Sequence, residues 1–401
     1  MIGSFNQSKS FTSLRARSMN SLRLILSNKR YFAPAYAFLC LNLVYGTWAI
    51  YIPQIKQHLG IDKAELGIAI FAMALGSFVS LTLAPTINDR IGCGKATAWG
   101  LLLLSVFGAG PFLAESYATL CIALFLVGAA QGFLDVSMNA TVSQIEKDDK
   151  VTLMAAMHGF FSLGGVVAGL GTFLIPIFDS ALLHILLIII LIITVNLKLV
   201  RQYAGVCSTL NTEKSKGSNY LRPLLLLGVI SFVVMGSEGA IVDWSGLYLS
   251  EVVGTSEFLV GAGFLSFSIT MTLGRFFGDA LSEKIGSEGV LFLGSVIGVL
   301  GYLGVLWGTT LSSILGFSAI GAGLSVMVPE LFRMAGRATA ISSNKAIALV
   351  AGFGYSGFLI GPVILGISAE AYGLVSSYYG LTAAIIIVSI VTLNLLLRTK
   401  H

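Results

Sequence analysis

The sequence predicts an all-α membrane protein that crosses the bilayer twelve times, as two six-helix bundles related by internal repetition. Three observations predict it. Of the 401 residues, 56% are hydrophobic and only 11% charged, whereas soluble domains carry about 25% charged residues. Twelve apolar runs follow one another, each long enough to cross a hydrocarbon layer that takes about 20 helical residues to span. Lys and Arg gather in alternate loops between those runs, as they do on the cytoplasmic side of membrane proteins. The 46 glycines suit helices that approach backbone to backbone in lipid.

Taken in order, residues 1–31 hold Lys9, Arg15, Arg17, Arg23, Lys29 and Arg30 and no acid. A transit peptide shares that composition, yet the next apolar run opens a full-length helix rather than a cleavable signal core, so a basic cytoplasmic tail is expected. Met19 is an alternative start. The first six spans are 33–58, 64–86, 96–114, 117–145, 152–176 and 181–201, forming a bundle over 32–201. Residues 202–222, polar and containing Lys214 and Lys216, make a cytoplasmic linker. The second six are 223–250, 257–281, 288–307, 309–332, 338–367 and 374–397, in a bundle over 223–398. With the N-terminus inside, 21 of the 24 Lys and Arg residues fall on the cytoplasmic side, which places both termini in the cytoplasm of a cell that carries the protein in its inner or plasma membrane. Lys56 and Lys63 fall outside, and Lys345 lies within a span, from which its ammonium can snorkel inward. A shift of 190 residues brings Asp89 onto Asp279 and Asp135 onto Ser325. Parallel six-span repeats of this kind put a solute site near the bilayer midplane.

Several functions are excluded. The formal charge of +5 resides in short loops, where topology accounts for it, and leaves no nucleic-acid footprint. Cys40, Cys93, Cys121 and Cys207 stand singly, predicting neither disulfide nor metal site. No nucleophile and base, phosphate loop or histidine cluster marks an enzyme.

The acids at membrane depth carry the functional reading. Asp135 interrupts an apolar run, and an ionised carboxylate there costs at least ~2.5–3.5 kcal/mol. Either it is a structural acid bonded to a neighbouring helix, or it binds a proton or solute in a wet cavity. The fourth and fifth spans are joined by the short turn Glu146–Lys150, so they run back to back. At about 1.5 Å per residue Asp135 lies about 16 Å from Glu146 and His158 about 12 Å from Lys150. An Asp135–His158 proton pair is therefore expected, the alternative being a packed core histidine. Glu238 is a second intramembrane acid, expected in the outer half as a solute or gate contact. Asp243 and Trp244 are expected near the outer surface, with Trp in the interfacial belt and no special role for Asp. Asn42, Tyr45 and Trp48 share a helix face that either lines the cavity or packs on a neighbour. Glu330, Arg333 and Arg337 close the tenth span as a candidate gate.

After the second span, Pro85-Thr-Ile-Asn-Asp89-Arg90-Ile-Gly92-Cys-Gly94-Lys95 resembles the signature of the major facilitator superfamily between helices 2 and 3. Asp89, Arg90, Gly92 and Lys95 match, while Pro85 stands for a Gly and Gly94 for a basic residue. Gly274 to Gly286, with Arg275 and Asp279, is a looser second copy. The resemblance implies twelve helices, alternating access, and a cytoplasmic latch of Asp89, Arg90, Lys95, Arg275 and Asp279 that favours the outward-open state. Topology enforcement is the alternative role for Arg90 and Lys95. Gly132, Leu134, Asp135 and Asn139 resemble the fourth helix of the fucose permease group and its uncharacterised YbjJ-type relatives, which implies proton coupling at Asp135 and a solute contact at Asn139. Glu238-Gly-Ala and Asp243-Trp244 are similar to the seventh helix of those relatives. The fucose permease acid of helix 1 is missing, since no Asp or Glu precedes Asp62, so sugar-binding details do not carry over. The resemblance thus implies a monomeric secondary transporter of a small polar solute, a sugar favoured, with the proton as coupling ion and no other cofactor. Drug or metabolite export, passive facilitation and a non-transporting membrane sensor are the rival expectations.

Overall fold

In the computed structural model, which describes residues 22–178, 180–206, 222–337 and 343–399, twelve helices are long and apolar enough to cross a membrane. They are α1 (Lys29–Leu59), α2 (Lys63–Ile91), α3 (Cys93–Leu113), α4 (Tyr117–Asp149), α5 (Ala156–Leu174) and α6 (Ala181–Gln202), then α7 (Leu224–Val253), α8 (Glu257–Phe276), α9 (Lys284–Leu306), α10 (Thr310–Gly336), α11 (Leu349–Tyr372) and α12 (Leu374–Arg398). No strand occurs among the described residues. Hydrocarbon offers no partner to backbone N–H and C=O groups, so a chain this apolar satisfies them within helices. Twelve crossings return the chain to the face where α1 begins, here termed proximal; the opposite face is distal. Residues 1–21 of the basic tail and 207–221 of the expected linker lie outside the described residues.

Local chemistry sets the turns. At the distal face α1 stops on Gly60 in the left-handed region (φ +63°), and Asp62 with Glu65 forms a capping box that opens α2. Ser116 with Thr119 opens α4 in the same way, and Thr309 with Ser312 opens α10. At the proximal face the Glu146 carboxylate accepts from the backbone N–H groups of Leu153 and Met154, fastening the α4–α5 turn. The α8–α9 turn is a kink at Gly286 (φ +75°).

Small residues let the helices pair closely, and the pairing repeats. In the first bundle a Cβ on Gly164 of α5 would collide with the Leu39 carbonyl of α1, and one on Gly128 of α4 with that of Met73 of α2. In the second, Gly357 of α11 meets the Phe232 carbonyl of α7 and Gly321 of α10 meets that of Phe267 of α8. Gly357 and Gly321 stand 193 positions after Gly164 and Gly128, so the structural register of the repeat is 193 rather than 190. Asp135 then corresponds to the apolar Val328, and α10 has no counterpart to its charge. The buried share is 83% along the apolar window of α1 but 28% and 22% in α6 and α12. The core helix α1 is thus wrapped, while α6 and α12 present residues such as Ile190 and Ile387 outward, as a lipid-facing periphery does.

The expected linker begins as a docked turn. Tyr203 is buried against Ala33 and Leu199, and the Val206 carbonyl accepts from the Gly94 N–H at 3.0 Å and the Cys93 thiol at 3.4 Å. A side chain at Gly94 would strike the Tyr203 carbonyl. That contact accounts for the glycine where the signature has a base.

Candidate functional site

The two bundles meet along a seam, and the seam is uneven. Toward the distal face α1 touches α7 through Tyr45, whose hydroxyl donates to Asp243 Oδ1 at 2.9 Å, and through Pro53, which packs at Gly246. At the distal surface Glu251 pairs with Lys56 at 2.9 Å and Lys63 at 3.0 Å. The last turn of α7, Tyr248–Val253, is π-helical and presents that carboxylate; such turns are frequent at functional positions. Between α2 and α11, Gly67 abuts the Pro362 carbonyl and Gly366, and the Lys63 N–H donates to Glu370 at 3.0 Å. Between α5 and α8, the Gly261 N–H donates to Thr172 Oγ1 at 2.9 Å. At mid-depth Arg275 Nη1 donates to Ser162 Oγ at 2.9 Å.

The proximal side differs. The cross-bundle hydrogen bonds and ion pairs just named lie at the distal face and at mid-depth. Asp89, Arg90 and Lys95 are exposed, with no ion pair among the described residues. These bonds fasten the seam at its distal end and at mid-depth.

Asp135 lies on the side of α4 that faces the second bundle. Gly132, three residues before it and on much the same face, is pressed on Ser77 of α2, and Leu134 packs on Gly100 of α3. Asp135 is half-buried, accepts from Asn139 Nδ2 at 3.1 Å, and forms no ion pair among the described residues. Asn139 is also held by the Asp135 carbonyl at 2.8 Å. Across the seam, Tyr355 of α11 is 46% exposed and within electrostatic reach of Asp135.

The structure separates Asp135 from His158, against the expected pair. Their depths agree, but α5 packs on α1 and α8 and barely touches α4, so the two helices diverge from their shared turn. The His158 ring is exposed and set edge-on to Phe38 at 5.3 Å.

Glu238 lies at the midpoint of α7 rather than in one half, because α7 continues to Val253. Its carboxylate is 3.7 Å from Arg275 Nη2, and its other oxygen is buried without a hydrogen-bond partner. Arg275, expected as part of a proximal latch, is instead an intramembrane cation linking α7, α8 and α5. The side chain of its companion Asp279 lies outside the described residues.

Of the expected cavity face on α1, only Tyr45 stands at the seam as a bonding group. Asn42 donates to the Phe161 carbonyl at 3.0 Å and so ties α1 to α5 within one bundle. Trp48 is buried, its indole N–H without a partner. Glu330 is 2% exposed and pairs with Arg333 at 2.8 Å, while accepting from the Ser282 hydroxyl. All three belong to the second bundle, and these bonds fasten the α8–α9 turn to α10.

Two residues were misjudged from sequence. Asp243 is 4% exposed and Trp244 1%; neither is at a surface. The span was read as ending at 250, and three further residues in the π-helical turn place both deeper.

Comparison with known proteins agrees with this architecture. The family model described as Major Facilitator Superfamily matches residues 35–344. An uncharacterised MFS-type transporter of Yersinia pestis is 30% identical over 88% of this chain and 91% of its own. A probable 4-methylmuconolactone transporter of Cupriavidus pinatubonensis is 26% identical over 83% of this chain and 80% of its own. Among solved structures, a mutant form of the nucleoside transporter NupG superposes with a TM-score of 0.72 at 11% identity, covering 92% of this chain and 99% of that one.

Proposed function

The chain belongs to the major facilitator superfamily, a family of membrane transporters and not of enzymes, and on that premise we propose that it moves a small polar solute by alternating access, coupled to protons through Asp135. A sugar or sugar-like metabolite is the favoured solute. The observation that carries this reading is a half-buried carboxylate with no cation within ion-pair distance among the described residues, on the side of α4 that faces Tyr355 of the second bundle. Asn139 and Tyr355 beside it, and the Glu238–Arg275 pair on α7 and α8, supply donors and acceptors that suit an oxygen-rich solute. The relatives named for a nucleoside and for a lactone are consistent with such chemistry.

In this proposal the proximal face is cytoplasmic, because Lys and Arg concentrate there, and the conformation is inward-facing. The free Asp89, Arg90 and Lys95 then belong to a latch that engages only when the proximal side closes. Protonation of Asp135 removes a charge whose burial costs at least ~2.5–3.5 kcal/mol, so the occluded state becomes accessible when proton and solute are both bound. A solute that binds the two states unequally shifts their populations by its difference in affinity. The protein acts as a monomer in a cell membrane, with the proton as its coupling ion.

The test uses purified protein. A thermal-shift screen against sugars, polyols, nucleosides, amino acids and organic acids identifies a ligand, and proteoliposomes then report solute and proton flux together. Uphill uptake driven by an inward proton gradient is expected. Flux that only equilibrates and moves no protons would refute the coupling; binding without flux would refute transport.

A further inference from the structure

Asp243 is buried in the seam, 4% exposed, and takes part in no ion pair among the described residues. Its one hydrogen bond comes from the opposite bundle, the Tyr45 hydroxyl at 2.9 Å. Among the described residues, the helices packed on α7 bring no cation to it. Arg275 of α8 stands at Glu238, and Lys56 of α1 at Glu251 on the distal surface. Tyr378 of α12 lies beside Tyr248, with Tyr302 of α9 behind it. Tyr355 of α11 stands near Asp135, Glu370 of α11 at the Lys63 amide, and Glu330 with Arg333 of α10 near the proximal end. The segment of α10 from Thr310 to Leu324 has no titratable side chain.

A carboxylate left in such a place without a cation is strongly disfavoured, and it carries a proton instead. The same seam that hides Asp243 is the one that alternating access must open. Tyr45, Pro53 and Lys56 succeed one another along α1 against Asp243, Gly246 and Glu251 along α7. Separating the two helices removes the Tyr45 bond and admits distal water to the carboxyl group.

We propose that Asp243 is a second proton-binding site, which holds a proton while the distal seam is shut and releases it to the distal solution when α1 and α7 part. The proton leaves as hydronium, the carboxyl becomes a solvated carboxylate, and reclosure requires its return. Closed and open forms thus differ by one bound proton, and rising pH favours the open form. The role is independent of the one given to Asp135.

The test measures the gap across the distal seam in the full-length protein in lipid nanodiscs. Gln57 and Ser256, both exposed beside the seam, are changed to Cys for spin labels in a background without the native cysteines. One linked proton predicts that the open-to-closed ratio rises by up to about tenfold per pH unit. Asp243→Asn, which mimics the protonated group, is expected to stay closed at every pH. Tyr45→Phe, which deprives the closed form of its donor, is expected to open at lower pH. A parent distance that ignores pH, or an Asp243→Asn variant that still opens with the parent midpoint, overturns the proposal. Should Asp243→Asn fail to fold, an unshifted midpoint in Tyr45→Phe overturns it equally.

Discussion

The distal and proximal ends of the bundle seam are made from similar residue types and behave as opposites. At the distal end Lys56, Lys63 and Glu251 converge within 3.0 Å and a buried Asp faces a Tyr hydroxyl. On the proximal side Asp89, Arg90 and Lys95 remain exposed, and Asp135 has Asn139 and no cation beside it among the described residues. The difference teaches that a charge in this molecule acquires its meaning from which end is shut. A surface ion pair is worth little where water reaches it, and more where closure removes the water.

Four substitutions break or sharpen that contrast. The largest effect is expected from Asp135→Asn: concentrative uptake falls to roughly the passive ratio while solute exchange persists, because the group that senses the gradient is gone while the path is not. Counterflow measured beside uphill uptake in proteoliposomes checks it. Next is Thr172→Val, which strands the buried Gly261 N–H that now bonds across the seam at 2.9 Å. An unsatisfied buried donor costs about 1–3 kcal/mol, so distal closure weakens by that amount, read from spin-label distances across the seam. Glu251→Gln removes two partly exposed pairs and is expected to cost about 1 kcal/mol of the same closure, an effect that high salt in the parent protein imitates in part. The smallest is Lys95→Ala, which changes the thermal stability of this conformation by less than about 0.5 kcal/mol, since nothing is paired there. The same variant slows turnover if the latch forms in the opposite state, and stopped-flow uptake separates the two effects.

The architecture was legible because hydropathy and loop charge are one-dimensional signals. Twelve apolar runs separated by alternately basic loops leave few folds open, and the placement of Asp135 at depth followed from counting along one helix. What failed required knowledge of how helices splay. His158 has the right depth and the wrong neighbour, since α5 leaves α4 for α1 and α8. Arg275 looked like a loop residue by analogy with Arg90, yet its helix carries it to Glu238. Asp243 looked superficial only because the π-helical turn beyond it is invisible in a hydropathy plot. The departure of Gly94 from the signature looked like a weakened motif, whereas it makes room for the Tyr203 carbonyl.

The contact of Gly67 with the Pro362 carbonyl and Gly366 means that α2 and α11 touch main chain to main chain, with no side chain between them. Such a meeting point acts as a fulcrum, and a single added methyl there becomes a wedge. Gly67→Ala holds apart the ends that now touch and tips the rocking equilibrium toward the other conformation, so one carbon atom offers a handle for trapping the state in which the opposite mouth is open.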